Sequence, residues 1–216
     1  MSDKSRKTLL MIIFICLLFV VAWVSDILLD EYTMRVVRTG LIYIIAAVSY
    51  NLINGIAGQF SLGPNGFMAL GGYMVALLML PLDQKGFVWF LKPLIWPFNS
   101  FSFTKAFFPL AIFFGGVAGA LGALIVGFPT LRLRGDYLAI ATFGFSQIII
   151  VLANNLIPIT NGALGIKGVP EYANIYWCLA WAIITVLFTS NLANSSYGRA
   201  MKSIRDDEIA AESMGI

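Results

Sequence analysis

The chain has 216 residues, of which 59% are hydrophobic and only 12% are charged. Soluble domains carry roughly 25% charged residues, and disordered chains combine low hydrophobicity with high net charge, so both classes are excluded. The net charge of +3 comes without any run of five or more lysines and arginines, which argues against a nucleic-acid partner. With no histidine and 2 cysteines, the chain lacks the ligands that a zinc or haem site would need. The composition predicts an all-α polytopic transmembrane helical bundle.

Uncharged stretches locate the expected spans, because a crossing needs about 20 apolar residues and a central charge costs roughly 3 kcal/mol. The first apolar run begins at Leu9, after three basic residues, and no cleavage pattern follows it, so we interpret it as an uncleaved span. The uncharged stretch 39–82 is too long for one helix and is interrupted by glycines, so it is expected to hold two. We predict about six spans within a transmembrane domain of residues 1–194, near 8–25, 39–56, 66–82, 106–128, 137–158 and 175–193.

The basic residues give the expected orientation, since lysine and arginine are enriched in cytoplasmic loops. A cytoplasmic N-terminus places the segment 83–105 outside, where its many aromatic residues and short uncharged runs predict an interfacial stretch rather than a crossing. The same orientation places a second basic group on the cytoplasmic side: Arg132, Arg134, Arg199, Lys202 and Arg205.

Helix breakers and polar residues interrupt the chain between Asn51 and Gly72, from the end of the second predicted span into the third. Irregular backbone at membrane depth is tolerated only where it is buried in protein or lines a watery cavity. One interpretation is a translocation pathway, in which a helix beginning near Gly66 directs its N–H groups at a carboxylate. The other is a turn between two spans. The predicted pathway residues are Asn54, Gly58, Gln59, Ser61, Gly63 and Pro64.

The fourth and fifth predicted spans differ in character. The fourth carries Gly115-x-x-x-Gly119, which permits close helix approach either within the subunit or between subunits. The fifth holds polar residues but no ionisable group, whereas ion-coupled carriers place acids or bases in their spans. The chain also has no Gly-x-x-x-x-Gly-Lys-Ser/Thr phosphate loop, and Cys16 and Cys178 lie in apolar runs without a base. We therefore expect no enzyme activity and no cofactor on this chain, with energy supplied from elsewhere. The fifth-span polar set is Thr142, Ser146, Gln147, Asn154 and Asn155.

The composition changes after the sixth predicted span, because residues 195–216 alternate basic and acidic side chains with small and apolar ones. That pattern predicts a short amphipathic helix or a pair of helices on the cytoplasmic side. A solvated tail is the alternative.

Three motifs stand in a fixed order along the chain. They are Asn54-Gly-Ile-Ala-Gly-Gln-Phe-Ser-Leu-Gly63 followed by Gly71-Gly-Tyr73, then Leu131-Arg-Leu-Arg-Gly-Asp-Tyr-Leu-Ala-Ile140, and finally Gly198-Arg-Ala200 with Ile204-Arg-Asp-Asp-Glu-Ile-Ala-Ala-Glu-Ser-Met-Gly-Ile216. In sequence, order and spacing they resemble the inner-membrane permease family of branched-chain amino acid ABC transporters, specifically its LivM-type members. The resemblance covers roughly residues 35–216.

The resemblance implies a permease subunit that imports leucine, isoleucine or valine across the bacterial cytoplasmic membrane. Its implied partners are a homologous LivH-type permease, two cytoplasmic ATPases that hold ATP and Mg, a periplasmic or extracellular substrate-binding protein, and membrane lipid. No nucleic acid is implied. Two alternatives stay open: a urea or amide ABC permease, and a truncated membrane scaffold that transports nothing.

The resemblance also assigns two cytoplasmic sites. Residues 195–216 are expected to form the segment that couples to an ATPase, through Arg205, Asp207, Glu208, Ala210, Ala211 and Gly215. The second motif is expected to form a cytoplasmic turn, in which Asp136 caps the fifth span, made by Arg132, Arg134, Gly135 and Asp136.

The chain departs from the family pattern at two motif positions. Pro64-Asn65 stands where members usually have His after Ser-Leu-Gly, and Thr160-Asn161-Gly162 stands where Thr-Gly-Gly is common. Members also continue for several spans beyond the coupling segment, so a fragment or a truncated gene product is expected.

Overall fold

In a computed structural model that describes residues 3–133 and 135–215, every regular element is helical. A π-helical segment, Leu52–Ile56, continues the second helix, and single 3-10 turns lie at Lys105–Phe107 and Gly162–Leu164. The α-helices are α1 (Asp3–Leu28), α2 (Glu31–Asn51), α3 (Pro64–Met79), α4 (Leu82–Val88), α5 (Phe108–Thr130), α6 (Asp136–Asn155), α7 (Ile157–Thr160), α8 (Ile175–Asn194), α9 (Ser196–Asp206) and α10 (Glu208–Ser213).

The predicted all-α polytopic class is confirmed. In the described part of the chain 5 helices are long and apolar enough to cross a membrane: Leu9–Leu28, Glu31–Ile56, Lys105–Thr130, Asp136–Asn155 and Ile175–Asn194. The third predicted span corresponds to α3, an apolar helix of 16 residues. At 1.5 Å per residue α3 is about 24 Å long, less than the roughly 30 Å of a hydrocarbon core. An irregular segment, 57–63, precedes this short apolar helix.

The second helix begins earlier than the predicted span. Its first residue is Glu31, and it runs through Arg35 and Arg38 before the uncharged stretch starts. A boundary drawn from charge marks where the apolar core of a span begins, whereas the backbone hydrogen bonds of the helix continue through the interfacial turns.

The chain forms two compact units. The first contains residues up to Gly58 together with those from Ala173 onward, and the second contains Gln59–Tyr172. In the first unit α8 packs against α1 and α2. The buried residues that join these three helices are Ala22, Met34, Ile175 and Leu179.

In the second unit α3 packs against both α5 and α6. The α3–α5 contact depends on glycine, since a Cβ built on Gly115 would lie 3.0 Å from the Gly71 oxygen and 2.6 Å from Val75 Cγ2. Gly115 of the fourth predicted span thus serves packing within the subunit.

The predicted interfacial stretch, 83–105, contains α4 and irregular backbone but no crossing. Part of it is core rather than surface, because Trp89 and Leu94 are buried against Leu77 and Leu80 near the end of α3. Trp96, by contrast, is 79% exposed. The Phe103 N–H donates to the Leu78 oxygen at 2.7 Å and holds the end of this stretch against α3.

Candidate functional site

The first part of the candidate pathway lies in the first unit, where α2 changes into the π-helical segment Leu52–Ile56. The Ala57 N–H donates to the Leu52 oxygen at 3.1 Å, the spacing of five residues that defines this geometry. Asn54 lies within the segment and is half-buried. Two residues beyond the segment, Gly58 has a φ of +70°, which suits glycine. Such π-helical turns occur frequently at functional sites.

Helix α9 packs against this π-helical segment within the same unit. Arg205 Nη1 donates to the Gly55 oxygen at 3.3 Å. A Cβ built on Gly58 would lie 2.3 Å from Arg205 Cγ and 2.9 Å from Arg205 Cβ, so only glycine permits this approach. The first and third sequence motifs are therefore brought together at this contact.

The predicted amphipathic pair of helices is present as α9 and α10. Each begins with a side-chain cap: Ser195 Oγ accepts from the Gly198 N–H at 3.2 Å, and Asp207 Oδ1 accepts from the N–H groups of Ile209 and Ala210 at 3.0 Å. Asp207 therefore has a structural role as the N-cap of α10.

The remaining predicted coupling residues do not share one surface. Ala211 is 4% exposed, because α10 packs on α9. Glu208, Ala210 and Gly215 are exposed, and Gly215 has a φ of +83°. Ala211 is thus packed against its own chain in this conformation, and Ala210 is the small residue of α10 that a partner could reach.

The second part of the candidate pathway lies in the second unit, in the irregular segment before α3. Gln59 is half-buried there and Ser61 is buried. The Gly63 N–H donates to Ser61 Oγ at 3.4 Å. The Leu62 N–H donates to Thr142 Oγ1 at 3.1 Å, and this hydroxyl donates in turn to the Ala139 oxygen at 3.0 Å. A side chain of α6 therefore satisfies a backbone group of the irregular segment.

The N-terminus of α3 is packed against α6. The helix begins at Pro64, two positions before the predicted Gly66, and Gly63 stands at its N-cap without a side-chain cap. Gly66 is buried, and a Cβ built on it would lie 3.0 Å from Ser146 Cα. Thr142 and Ser146 thus line this helix start. Sequence reasoning did not assign either to the site, although their spacing of four residues on α6 was a usable signal.

The predicted pathway residues are distributed over the two compact units. Asn54 and Gly58 belong to the first unit, and Gln59, Ser61, Gly63 and Pro64 belong to the second.

The predicted cytoplasmic turn lies between α5 and α6. Gly135 takes the N-cap position with a φ of +57° and no side-chain cap, and Asp136 is the first residue of α6. The carboxylate of Asp136 is therefore placed one position later than predicted, in the first turn, where the helix dipole favours a negative charge. Arg132 lies 5.3 Å from the centre of the Phe128 ring. Arg134 lies outside the described residues.

The departure at Thr160-Asn161-Gly162 has a structural explanation. Asn161 adopts the left-handed conformation with a φ of 62°, and its Nδ2 donates to the Gly165 oxygen at 2.9 Å. Asparagine tolerates this conformation better than most residues, so it can stand where the resemblance led us to expect glycine.

One ionisable side chain of the second unit is deeply buried outside the spans. Lys85, in α4, is 2% exposed, and its Nζ donates to the Phe98 oxygen at 2.6 Å and to the Phe101 oxygen at 2.7 Å. Burial lowers the pKa of Lys85 below its ordinary value. Among the residues with described positions, no cluster of His, Cys, Asp and Glu could hold a metal ion.

Comparison with known proteins gives a family match. Residues 32–216 match the family model described as "Branched-chain amino acid transport system / permease component". No solved structure matches the chain.

Individual relatives agree with this match. The chain is 28% identical to the high-affinity branched-chain amino acid transport system permease protein LivM of Salmonella typhimurium, over 94% of this chain and 51% of that protein. The same values hold for LivM of Escherichia coli. It is 25% identical to the probable branched-chain amino acid transport permease protein LivM of Methanocaldococcus jannaschii, over 87% of this chain and 60% of that protein. The chain thus spans about half the length of the first two relatives.

Proposed function

Because the chain belongs to the family of branched-chain amino acid transport system permease components, we propose that it forms part of the membrane pathway of a binding-protein-dependent ABC importer for leucine, isoleucine and valine. The observation that carries this proposal is the family match over residues 32–216. The two LivM relatives are named as branched-chain amino acid transport permeases, and the sequence aligns with them over nearly its whole length. As a permease component, the chain transports rather than catalyses.

The proposed pathway is lined by Asn54, Gly58, Gln59, Ser61, Gly63 and Pro64. Two features of the described residues support it. The helix α2 ends in a π-helical segment, and α3 is short and preceded by irregular backbone. Backbone N–H and C=O groups at membrane depth need polar partners or water, and Thr142 already supplies one such partner to Leu62.

The proposed partners are a homologous LivH-type permease, two cytoplasmic ATPases that bind ATP and Mg, and a substrate-binding protein. The proposed location is the bacterial cytoplasmic membrane, with the N-terminus in the cytoplasm. Helices α9 and α10, which follow the apolar α8 and carry both charge signs, support a role as the segment that couples to an ATPase.

Uptake measurements test the transport proposal. The chain, in its complete reading frame, is produced with its cognate partners in cells that lack their own branched-chain importer. We expect ATP-dependent uptake of labelled leucine that excess isoleucine or valine inhibits and excess urea or acetamide does not. Inhibition by urea or acetamide alone would favour the alternative permease class. Uptake that is equal with and without the chain would favour the scaffold alternative and refute the proposal.

Substitutions in α10 test the coupling assignment. Ala210 is exposed, so Ala210→Trp should obstruct a partner surface without disturbing the α9–α10 packing. We expect lower ATP hydrolysis in response to loaded binding protein, with unchanged assembly of the permease. Ala211→Trp is the comparison, because overpacking a buried position costs about 1–3 kcal/mol and should disturb α10 itself. Full stimulated hydrolysis in Ala210→Trp would remove α10 from the interface.

A further inference from the structure

We propose that Arg205 is a positioning residue that joins the coupling segment to the π-helical segment Leu52–Ile56, so that movement of α9 is transferred directly to the end of α2. The inference rests on the proposed function, and it adds a specific contact inside this chain through which coupling acts.

The attractive half of the contact is the hydrogen bond from Arg205 Nη1 to the Gly55 oxygen at 3.3 Å. Gly55 lies in the last turn of the helix formed by α2 and its π-helical continuation. Carbonyl groups in a last turn have no helical donor ahead of them, and the negative end of the helix dipole attracts a cation. The guanidinium of Arg205 thus supplies both a donor for an unpaired carbonyl and a positive charge near the negative end of the helix dipole.

The steric half of the contact is Gly58. A Cβ at this position would lie within 3.1 Å of three successive atoms of Arg205, ending at its backbone Cα. A flexible side chain can move aside, but a backbone atom can retreat only if α9 moves with it. The hydrogen bond therefore resists separation of α9 from the π-helical segment, and the Gly58 contact resists closer approach.

The neighbouring acid fixes the orientation of the arginine. Arg205 Nε and Nη2 donate to Asp206 Oδ1 at 3.1 and 2.9 Å, which leaves Nη1 for Gly55. The planar guanidinium can serve both acceptors at once, whereas a lysine ammonium is a single point of charge. The side chain that was predicted to contact an ATPase is thus directed toward its own chain.

The π-helical segment differs from an α-helix by one residue in its hydrogen-bond spacing. In the π-helical turn the Ala57 N–H bonds to Leu52, five residues back. An α-helical turn would need a partner four residues back, so a small change in register converts one geometry into the other. A displacement of α9 through Arg205 acts on the carbonyl of Gly55, which lies inside this turn.

The first test uses the complete importer in proteoliposomes and measures leucine transported per ATP hydrolysed. Arg205→Ala should keep assembly and the ATP hydrolysis stimulated by loaded binding protein, but lower leucine transported per ATP severalfold, because the hydrogen bond to the Gly55 oxygen is lost. Arg205→Lys should fall between this variant and the wild type. Arg199→Ala is the matched control, since Arg199 lies on the same helix and donates to Asn194 and Ser196 nearby. It should transport as the wild type does.

The outcomes separate this inference from the proposed function. Wild-type leucine per ATP in Arg205→Ala would overturn the inference while leaving the importer assignment intact. Loss of assembly in both Arg205 variants would show a merely structural role and would also overturn it. Absence of leucine uptake by the wild-type importer would instead count against the proposed function.

Amide hydrogen exchange gives a second readout that does not depend on transport. In the purified full chain, exchange at residues 52–58 should rise at least severalfold in Arg205→Ala and stay unchanged in Arg199→Ala. Equal exchange in both variants would show that Arg205 does not stabilise the π-helical segment.

Discussion

Lys85 allows a quantitative test of what holds the stretch 83–105 in place. Its buried ammonium donates to the oxygens of Phe98 and Phe101, 13 and 16 residues further along the chain. Lys85→Met keeps the length of the side chain and removes both donors. Each hydrogen bond from a charged group is worth about 1.5–3 kcal/mol, and removing the charge recovers part of its desolvation cost. We expect a net loss of about 2–4 kcal/mol in the free energy of unfolding.

The assay is unfolding of the detergent-purified chain, monitored by tryptophan fluorescence, together with limited proteolysis of the stretch 83–105. Lys92→Met is the matched control, because Lys92 belongs to the same stretch and is exposed. We expect Lys85→Met to unfold at lower temperature and to be cleaved faster between residues 83 and 105, and Lys92→Met to behave as the wild type. Equal behaviour of the two variants would refute the structural role assigned to Lys85.

The pH dependence of stability, compared between the wild type and Lys85→Met, tests the effect of burial. Because burial lowers the pKa of Lys85 below its ordinary value of 10.5, the unfolded chain keeps this proton to higher pH than the folded chain does. Between the lowered pKa and 10.5 the unfolded state binds more protons, so the stability of the wild type relative to Lys85→Met should rise with pH. At lower pH this difference should be constant. A relative stability that falls as pH rises in that window would contradict burial as the cause.

Three further results are expected. Gly115→Ala should separate α3 from α5 and lower stability, whereas Gly116→Ala, with no neighbouring atom within 4 Å, should be neutral or stabilising in thermal unfolding. Thr142→Val should leave a backbone N–H of the irregular segment without its acceptor and cost about 1–3 kcal/mol in denaturant unfolding; an unchanged midpoint would contradict this. Single cysteines at Lys92 and Lys202, in a cysteine-free background, should react with an impermeant reagent on opposite sides of the membrane; labelling of both from outside would refute the predicted topology.

The helical class and the approximate positions of the long apolar helices could be predicted because charge is excluded from a hydrocarbon core. The ends of the helices could not be predicted in the same way. The early start of α2 at Glu31 reflects continued backbone hydrogen bonding through charged turns, and nothing in the local composition of Leu52–Ile56 distinguishes a π-helical from an α-helical turn.

The candidate site was predictable only where its signal was local. Gly58, Gly63 and Pro64 predicted irregular backbone, and the structure has irregular backbone at 57–63. The partners of that backbone are distant in sequence: Thr142 bonds to Leu62 across 80 positions, and Arg205 bonds to Gly55 across 150. Periodicity within one helix carries no information about such pairs. The burial of Ala211 likewise depends on how α10 folds back on α9.

The junction between α8 and α9 determines how movement could pass between the apolar helix α8 and the charged helix α9. Gly198 is buried there, and a Cβ built on it would lie 2.3 Å from the Leu192 oxygen and 2.4 Å from the Ala193 oxygen. Ser195 Oγ closes the same corner by donating to the Leu192 oxygen at 2.7 Å and accepting from the Gly198 N–H. Because this corner is packed backbone against backbone, the angle between α8 and α9 should change little. The two helices should therefore move as one rigid unit. Displacement of α9 would then rotate the apolar helix α8 as well.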